Sequence, residues 1–237
     1  LIAQREGIGD ILADGARKAA KRIGRGSEEY AMHVKGLEFG MHEPRLKQGL
    51  GLIYAVAPQG ADHMAALHDT AFIQEGRGME GARQLGGMDP MAADDLGAAK
   101  VSLVKNYHLW RMFSDSLLLC NFVPWTLHQQ VDLLRALTGW EYTAVEALAL
   151  GERVATMARA FNLREGLTAA DDTLPKRFFS PTPRGALKDH AIDPDAMKKA
   201  VHTFYNMMGW DSETGAPTQD KLEALGIGWV SAQTAVA

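Results

Sequence analysis

Apolar side chains recur at helical spacing along most of this chain, and that periodicity limits its fold more than any other feature. Residues 8–23 place a row of apolar side chains on one helical face, with Gly24 as the stop. The same reasoning predicts further helices over residues 94–113, 124–139, 143–161, 193–209 and 219–225. Strand signals are sparse, and residues 52–56 fit either an extended segment or a buried helical turn. The sequence therefore predicts an all-α, multihelical fold.

Glycine and proline mark the connections between these helices. Residues 174–194 carry four prolines and are expected to form a surface crossing or linker, and residues 76–90 a glycine-rich loop. Within that loop, Gly76, Gly78 and Gly81 form a G-x-G-x-x-G pattern, which binds dinucleotides when it joins a strand to a helix. The residues before the pattern do not resemble a buried strand, so we reject a dinucleotide site.

Charge and composition exclude several classes of partner. The net charge of −4 comes without any block of Lys or Arg, which argues against nucleic-acid binding. The longest apolar run, residues 117–123, is far shorter than the roughly 20 residues needed to cross a bilayer, so no membrane partner is expected. The single cysteine excludes an internal disulfide and suits a reducing cytoplasm, where we expect the protein to act. The first residues run straight into the helical pattern, which indicates a portion of a longer polypeptide, and residues 231–237 are expected to fray.

Taken by themselves, the polar side chains give no decisive site. Cys120 lies in an apolar segment, which is typical of a buried small residue, and one thiolate cannot hold an iron–sulfur cluster that needs about four. His63 and His68 lack a zinc-binding spacing and are more typical of satisfied surface groups. Residues 161–175 contain an Arg, an Asn and several carboxylates, which favour a helix C-cap with an ion-paired turn over a ligand site.

Six blocks of sequence, spread over nearly the whole chain, match one family in the same order. They are residues 5–15 (REGIGDILADG), 30–38 (YAMHVKGLE), 42–45 (HEPR), 60–63 (GADH), 161–175 (FNLREG, ending in LP) and 209–226 (GWD, GAPT, KL and LG). These blocks resemble the C-terminal helical domains of the tungstopterin aldehyde:ferredoxin oxidoreductases. The run DSLLLC at residues 115–120 is similar to that family's D-x-x-G-L-C motif, with Leu118 in place of the glycine that lets backbone approach the pterin. Gln59 likewise stands where the family has an arginine.

The resemblance implies an active site in which a tungsten or molybdenum ion lies between two pterins, beside a four-iron, four-sulfur (4Fe–4S) cluster. Asp115 and Leu119 match cofactor-binding positions of the motif, and Cys120 matches the cysteine that gives the cluster its fourth thiolate. His63 matches an active-site histidine that would relay a proton, with His68 in its place if the loop is shifted.

The implied activity is the oxidation of aldehydes to carboxylates, with ferredoxin or another carrier accepting the electrons. The implied partners are an N-terminal portion with three further cluster cysteines, the electron carrier, a small-molecule aldehyde, and a second copy in a homodimer. Residues 1–45 would end a middle domain, and residues 46–237 would form the C-terminal domain. Without the N-terminal portion, the chain is expected to be inactive and to expose apolar surface where cofactors and the absent domain pack.

Two other functions stay open at this point. Within the family, Leu118 and Gln59 leave room for the catalytic subunit of a tungsten-dependent aromatic-ring reductase of the benzoyl-CoA type. Outside enzymes, the chain fits a helical domain that acts only in binding or assembly. A cluster motif of three cysteines encoded upstream would favour the enzyme, and its absence would favour the binding domain.

Overall fold

The computed structural model describes residues 1–231, and within them the backbone is mainly helical. The helices are α1 (Ile8–Leu12), α2 (Gly15–Ile23), α3 (Gln48–Val56), α4 (Arg77–Arg83), α5 (Ala98–Ser116), α6 (Leu127–Thr138), α7 (Ala144–Arg164), α8 (Pro194–Met208) and α9 (Gln219–Ala224). Single 3-10 turns occur at Ser27–Tyr30, Asp69–Ala71, Ala169–Asp171, Lys176–Phe179 and Gly228–Val230. Two short strands, β1 (His33–Val34) and β2 (Leu37–Glu38), form an antiparallel hairpin. The predicted all-α, multihelical fold is confirmed.

The core is organised around α5, which packs against α3, α7 and α8. Every residue of α3 is buried, because a helix that is apolar on all sides is stable only inside a protein. This helix contains residues 52–56, so that segment is helical and not extended. Helices α5 and α7 are in close contact, since a Cβ at Gly151 would lie 1.9 Å from the carbonyl oxygen of Leu109. None of the helices in residues 1–231 is long and apolar enough to cross a membrane.

Side-chain caps set where most of the longer helices begin. The Thr143 hydroxyl accepts a hydrogen bond from the backbone N–H of Glu146, and the Glu146 carboxylate accepts one from the backbone N–H of Thr143, as the capping-box pattern predicts. The helix expected from residue 124 begins instead at Leu127, because Thr126 and Gln129 form a second capping box that fixes its start. Gly209 ends α8 in the left-handed region, where glycine avoids a steric cost.

The helix predicted over residues 94–113 spans Ala98–Ser116, and two further segments also differ from prediction. Residues 8–23 do not form one helix, because Gly15 has a φ of 85° and separates α1 from α2. Their apolar face packs poorly, and Ile8 and Ile23 are about half exposed. Residues 76–90 contain the short helix α4 and are not all loop. A 3-10 turn and not a strand precedes α4 in the described chain, so the glycine pattern lacks the strand that a dinucleotide site requires. The expected frayed tail lies outside the described residues beyond Ser231.

Candidate functional site

The segment that resembles the D-x-x-G-L-C motif forms the C-terminal cap of α5. The N–H of Leu118 donates to the carbonyl of Asp115 at 3.0 Å, and the N–H of Leu119 donates to the carbonyl of Ser114 at 3.2 Å. This pair of bonds is the Schellman arrangement, which requires a left-handed residue directly after the helix. Leu118 occupies that position with a φ of 57°. The position where the family has glycine is therefore one whose backbone conformation favours glycine.

The cap turns the end of the motif toward the surface. Cys120 is exposed, so the expectation of a buried cysteine is wrong, because α5 has already ended and the chain leaves the core. Leu118 is 92% exposed and Phe122 is 87% exposed, so two large apolar side chains face solvent on either side of Cys120. Asp115 is about half exposed and accepts a long hydrogen bond, 3.4 Å, from Arg111 one helical turn earlier. A thiol and a carboxylate are thus presented to solvent from one helix end.

The predicted histidines lie together and are joined by a third. The ring centroid of His42 is 4.9 Å from that of His63 and 4.5 Å from that of His68. Lys47 Nζ lies 3.2 Å from His68 Nδ1. Burial, followed by the Lys47 charge, lowers the pKa of His68 to about 4 and also lowers the pKa of His42. These side chains are half-buried and contact one another, which differs from the separate surface groups that the spacing alone favours.

The loop that carries His63 and His68, here called the histidine loop, lies next to the loop that carries Cys120, here called the cysteine loop. The side chain of Asn121, next to Cys120, donates to the carbonyl of Met64, next to His63, at 3.3 Å. A second link comes from α5, where the buried His108 is hydrogen-bonded to the backbone of Ala65. The burial of His108 lowers its pKa to about 4, so this ring is neutral at pH 7. One helix therefore positions both candidate loops.

The side chains around the end of α5 match only some of the requirements of the implied cofactors. Arg111 is buried, and its Nε has no hydrogen-bond partner among the described residues. The same holds for Oδ1 of Asn121. Buried polar atoms without hydrogen-bond partners are uncommon in proteins. In the sequence, Arg111 is one helical turn before Asp115, and Asn121 directly follows Cys120. Within residues 1–231, however, no group of three or more His, Cys, Asp or Glu side chains is arranged to hold a metal alone.

Two buried ionic groups, which contain three ion pairs, were missed by sequence reasoning. Asp69 accepts from the N–H groups of Gly49 and Leu50 at the start of α3 and pairs with Lys100 of α5 at 2.7 Å. Asp172 pairs with Lys35 of the hairpin and with Arg159 of α7, each at 2.7 Å. A single sequence does not show which charged side chains are buried, so the sequence predicts neither partner set.

The ion-paired turn expected near residue 165 is present at the surface. Arg164 Nε lies 3.0 Å from a carboxylate oxygen of Glu165, and both side chains are largely exposed. The backbone of Glu165 closes α7 by donating to the carbonyl of Phe161. Asp172, which was grouped with these residues, belongs instead to the buried pair with Lys35.

Comparisons with known proteins assign this helical chain to a family. Residues 1–227 match the family model described as aldehyde ferredoxin oxidoreductase, domains 2 & 3, and the chain belongs to this family. The chain is 36% identical over 230 residues to the tungsten-containing aldehyde ferredoxin oxidoreductase of Pyrococcus furiosus, covering 95% of this chain and 35% of that protein. The enzyme of the same name from Thermococcus kodakarensis is 33% identical over the same shares.

Other relatives have different printed functions. The aliphatic sulfonate oxidoreductase, WOR-like subunit, of Pyrococcus furiosus is 32% identical over 243 residues, or 96% of this chain and 34% of that protein. A solved complex, the active site complex BamBC of benzoyl coenzyme A reductase with 1,5-dienoyl-CoA, has a TM-score of 0.70 and 22% identity, covering 98% of this chain and 38% of that chain. At that identity the likeness shows the fold alone. The chain spans about a third of the length of these relatives, which are oxidoreductases.

Proposed function

We propose that this chain is the C-terminal part of a tungsten- or molybdenum-pterin, iron–sulfur oxidoreductase that oxidises aldehydes to carboxylates and passes electrons to a ferredoxin-type acceptor. The observation that carries the proposal is the exposed thiol of Cys120, at the end of α5, on a loop joined to the His63 loop by Asn121. Membership of the family supports the same function, since tungsten-containing aldehyde ferredoxin oxidoreductases are 33% and 36% identical to this chain.

Four side chains are assigned roles within this proposal. Cys120 is a ligand of the 4Fe–4S cluster, and Asp115 and Leu119 contact the pterin. When bound, the metal–pterin group supplies the two-electron chemistry, and the cluster supplies single-electron transfer. Conversion of an aldehyde and water to a carboxylate releases three protons and two electrons. The imidazole of His63 accepts one of those protons and so acts as a general base.

The rest of the enzyme has to come from outside the described chain. A 4Fe–4S cluster takes about four thiolates and this sequence has one cysteine, so an N-terminal portion is the necessary partner. We therefore expect the chain alone to be inactive. The division into residues 1–45 and residues 46–237 stays a prediction, as do the homodimer, the ferredoxin partner and the cytoplasmic location. Leu118 and Phe122 are exposed apolar side chains, and we expect the cofactor or the N-terminal portion to cover them.

The test is made on the full-length polypeptide that contains this sequence, purified without oxygen. We expect tungsten or molybdenum together with about four irons per chain, and aldehyde-dependent reduction of a ferredoxin or dye. Cys120→Ser is expected to lose cluster iron and that activity, because a hydroxyl is a poor iron ligand. Thr203→Ser, a similarly small change on α8, is the control and is expected to keep both. Wild-type protein without heavy metal and without iron would contradict the proposal.

A second candidate is favoured by one observation, the fold similarity to the benzoyl coenzyme A reductase complex. It would make this chain part of an aromatic-ring reductase acting on a coenzyme A thioester. Assaying the metal-loaded full-length protein with aldehydes and with an aromatic coenzyme A thioester separates the two. If the full-length protein has neither metals nor upstream cluster cysteines, the remaining function is that of a helical domain that acts only in binding or assembly.

A further inference from the structure

Three imidazoles from two chain segments meet in one cluster. His42 comes from the segment between β2 and α3, and His63 and His68 come from the loop after α3. The His42 ring contacts both of the others. Its plane makes an angle of 48° with the His63 ring and 64° with the His68 ring. None of these contacts is required by spacing in the sequence, since His42 lies 21 residues from His63. The cluster therefore exists only because the two segments fold together.

Two further residues confine the cluster. A Cβ at Gly40 would lie 3.0 Å from His63 Nδ1, so the bare backbone at this position leaves room for the His63 ring. Lys47 Nζ lies 3.2 Å from His68 Nδ1. An ammonium group has only donors, so Nδ1 of His68 accepts, and the proton of the neutral ring is on Nε2. The hydrogen bond from Lys47 thus sets the tautomer of the neutral His68 ring.

The other charged groups around the cluster are already engaged. Glu43 pairs with Arg45 at 3.0 Å, and Asp69 pairs with the buried Lys100. Asp62 accepts from the backbone N–H of Met64 at 2.8 Å and from Gln59 at 3.2 Å. Lys47 is therefore the cation in direct contact with an imidazole of the cluster.

We infer that His42 and Lys47 are positioning residues of the His63 site: His42 holds the His63 ring, and Lys47 holds the ring of His68, which also contacts His42. This inference rests on the proposed function for its catalytic consequence. A charged imidazole next to His63 would repel a proton arriving there, whereas a neutral neighbour would not. The directions of the His42 and His68 pKa shifts agree with that arrangement.

The first test measures each imidazole in the full-length polypeptide. Exchange of the ring C2 hydrogen, followed by mass spectrometry of peptides, reports the pKa of individual histidines without any need for activity. Lys47→Met is expected to raise the pKa of His68 by about one unit, because a neighbouring cation is removed. Lys47→Arg keeps the charge and is expected to leave the pKa in place. Lys188→Met, on an exposed loop, is the matched control and is expected to shift nothing.

The second test follows the His63 ring itself. His42→Ala is expected to speed exchange at His63 several-fold and to lower kcat about tenfold with KM little changed, because the ring loses its support but substrate binding stays. His42→Phe restores an aromatic contact and is expected to recover most of the slower exchange. His190→Ala, an exposed histidine away from the cluster, is the control.

The outcomes separate this inference from the proposed function. If Lys47→Met leaves the pKa of His68 unchanged, or His42→Ala leaves His63 exchange and kcat unchanged, the inference is overturned. Loss of metals from Lys47→Met but not from Lys47→Arg also overturns it, because Lys47 would then serve cofactor binding. Wild-type protein without metals would overturn the proposed function, while the exchange measurements would still decide whether Lys47 and His42 hold the cluster.

Discussion

At the scale of single residues, the most informative position is the left-handed residue that ends α5. Leu118 adopts a φ of 57° although a Cβ in that region costs roughly 1–2 kcal/mol. Its side chain is almost fully exposed, so packing within the described chain does not offset that cost. The same exposure leaves Leu118 free to contact whatever covers this face in the whole enzyme. The residue is therefore unfavourable for the isolated fold.

Replacing Leu118 by glycine should stabilise the chain. We expect Leu118→Gly to raise the free energy of unfolding by about 1 kcal/mol, because it removes the left-handed strain and loses little contact. Leu118→Ala keeps a Cβ at the same φ and should leave stability nearly unchanged. Thermal unfolding followed by far-ultraviolet circular dichroism would measure both. Equal stability of the two variants would show that the backbone at this position is not strained.

At the scale of elements, α5 determines how the site is assembled. Its C-terminal end carries Asp115 and Cys120, its buried His108 is bonded to the backbone of the histidine loop, and its Lys100 neutralises Asp69 beside His68. These three connections place both candidate loops relative to one rigid helix. The position of α5 depends in turn on α7, whose Gly151 lies directly against the Leu109 backbone of α5.

The packing of α5 on α7 should fail if Gly151 gains a methyl group. Gly151→Ala is expected to destabilise the chain by about 3 kcal/mol, because the new Cβ would clash with the Leu109 carbonyl and two helices would have to separate. Gly81→Ala is the matched change in α4, where nothing lies within 4 Å of the added Cβ. It should stabilise by about 0.5–1 kcal/mol. Chemical denaturation of both variants tests the contrast, and a neutral Gly151→Ala would contradict the packing.

At the scale of the whole molecule, a buried ionic group ties the N-terminal hairpin to the helical core. Asp172 contacts Lys35 of the hairpin and Arg159 of α7, and it also accepts from the hydroxyl of Tyr205 on α8. Lys35 also donates to the carbonyl of Ala57 at 3.0 Å. Burial lowers the pKa of Lys35, partly offset by the Asp172 charge, so the ammonium depends on that carboxylate.

Removing the Asp172 charge should loosen that connection. Asp172→Asn is expected to cost about 3–5 kcal/mol, because two buried cations lose their counter-ion. The exposed Asp189 provides the control, and Asp189→Asn should change stability by less than about 0.5 kcal/mol. Limited proteolysis within residues 1–45 is expected to accelerate in Asp172→Asn only. Equal proteolysis of the two variants would show that the hairpin is held by other contacts.

The sequence by itself determined the helical class, most helix positions and the family. Those features depend on the local spacing of apolar residues, on helix caps such as Thr143 and Gly209, and on blocks of sequence similar to those of the family. The interruption at Gly15 escaped prediction because an isolated glycine is tolerated within many helices.

Tertiary structure alone decided which of the candidate residues meet. It exposed Cys120, brought His42 to His63 and His68, and buried Asp172 between two cations. These contacts join residues far apart in the chain, and burial and charge pairing depend on how helices pack. No local pattern carries that information, because the periodicity of a helix shows which face is apolar but not which partner it meets.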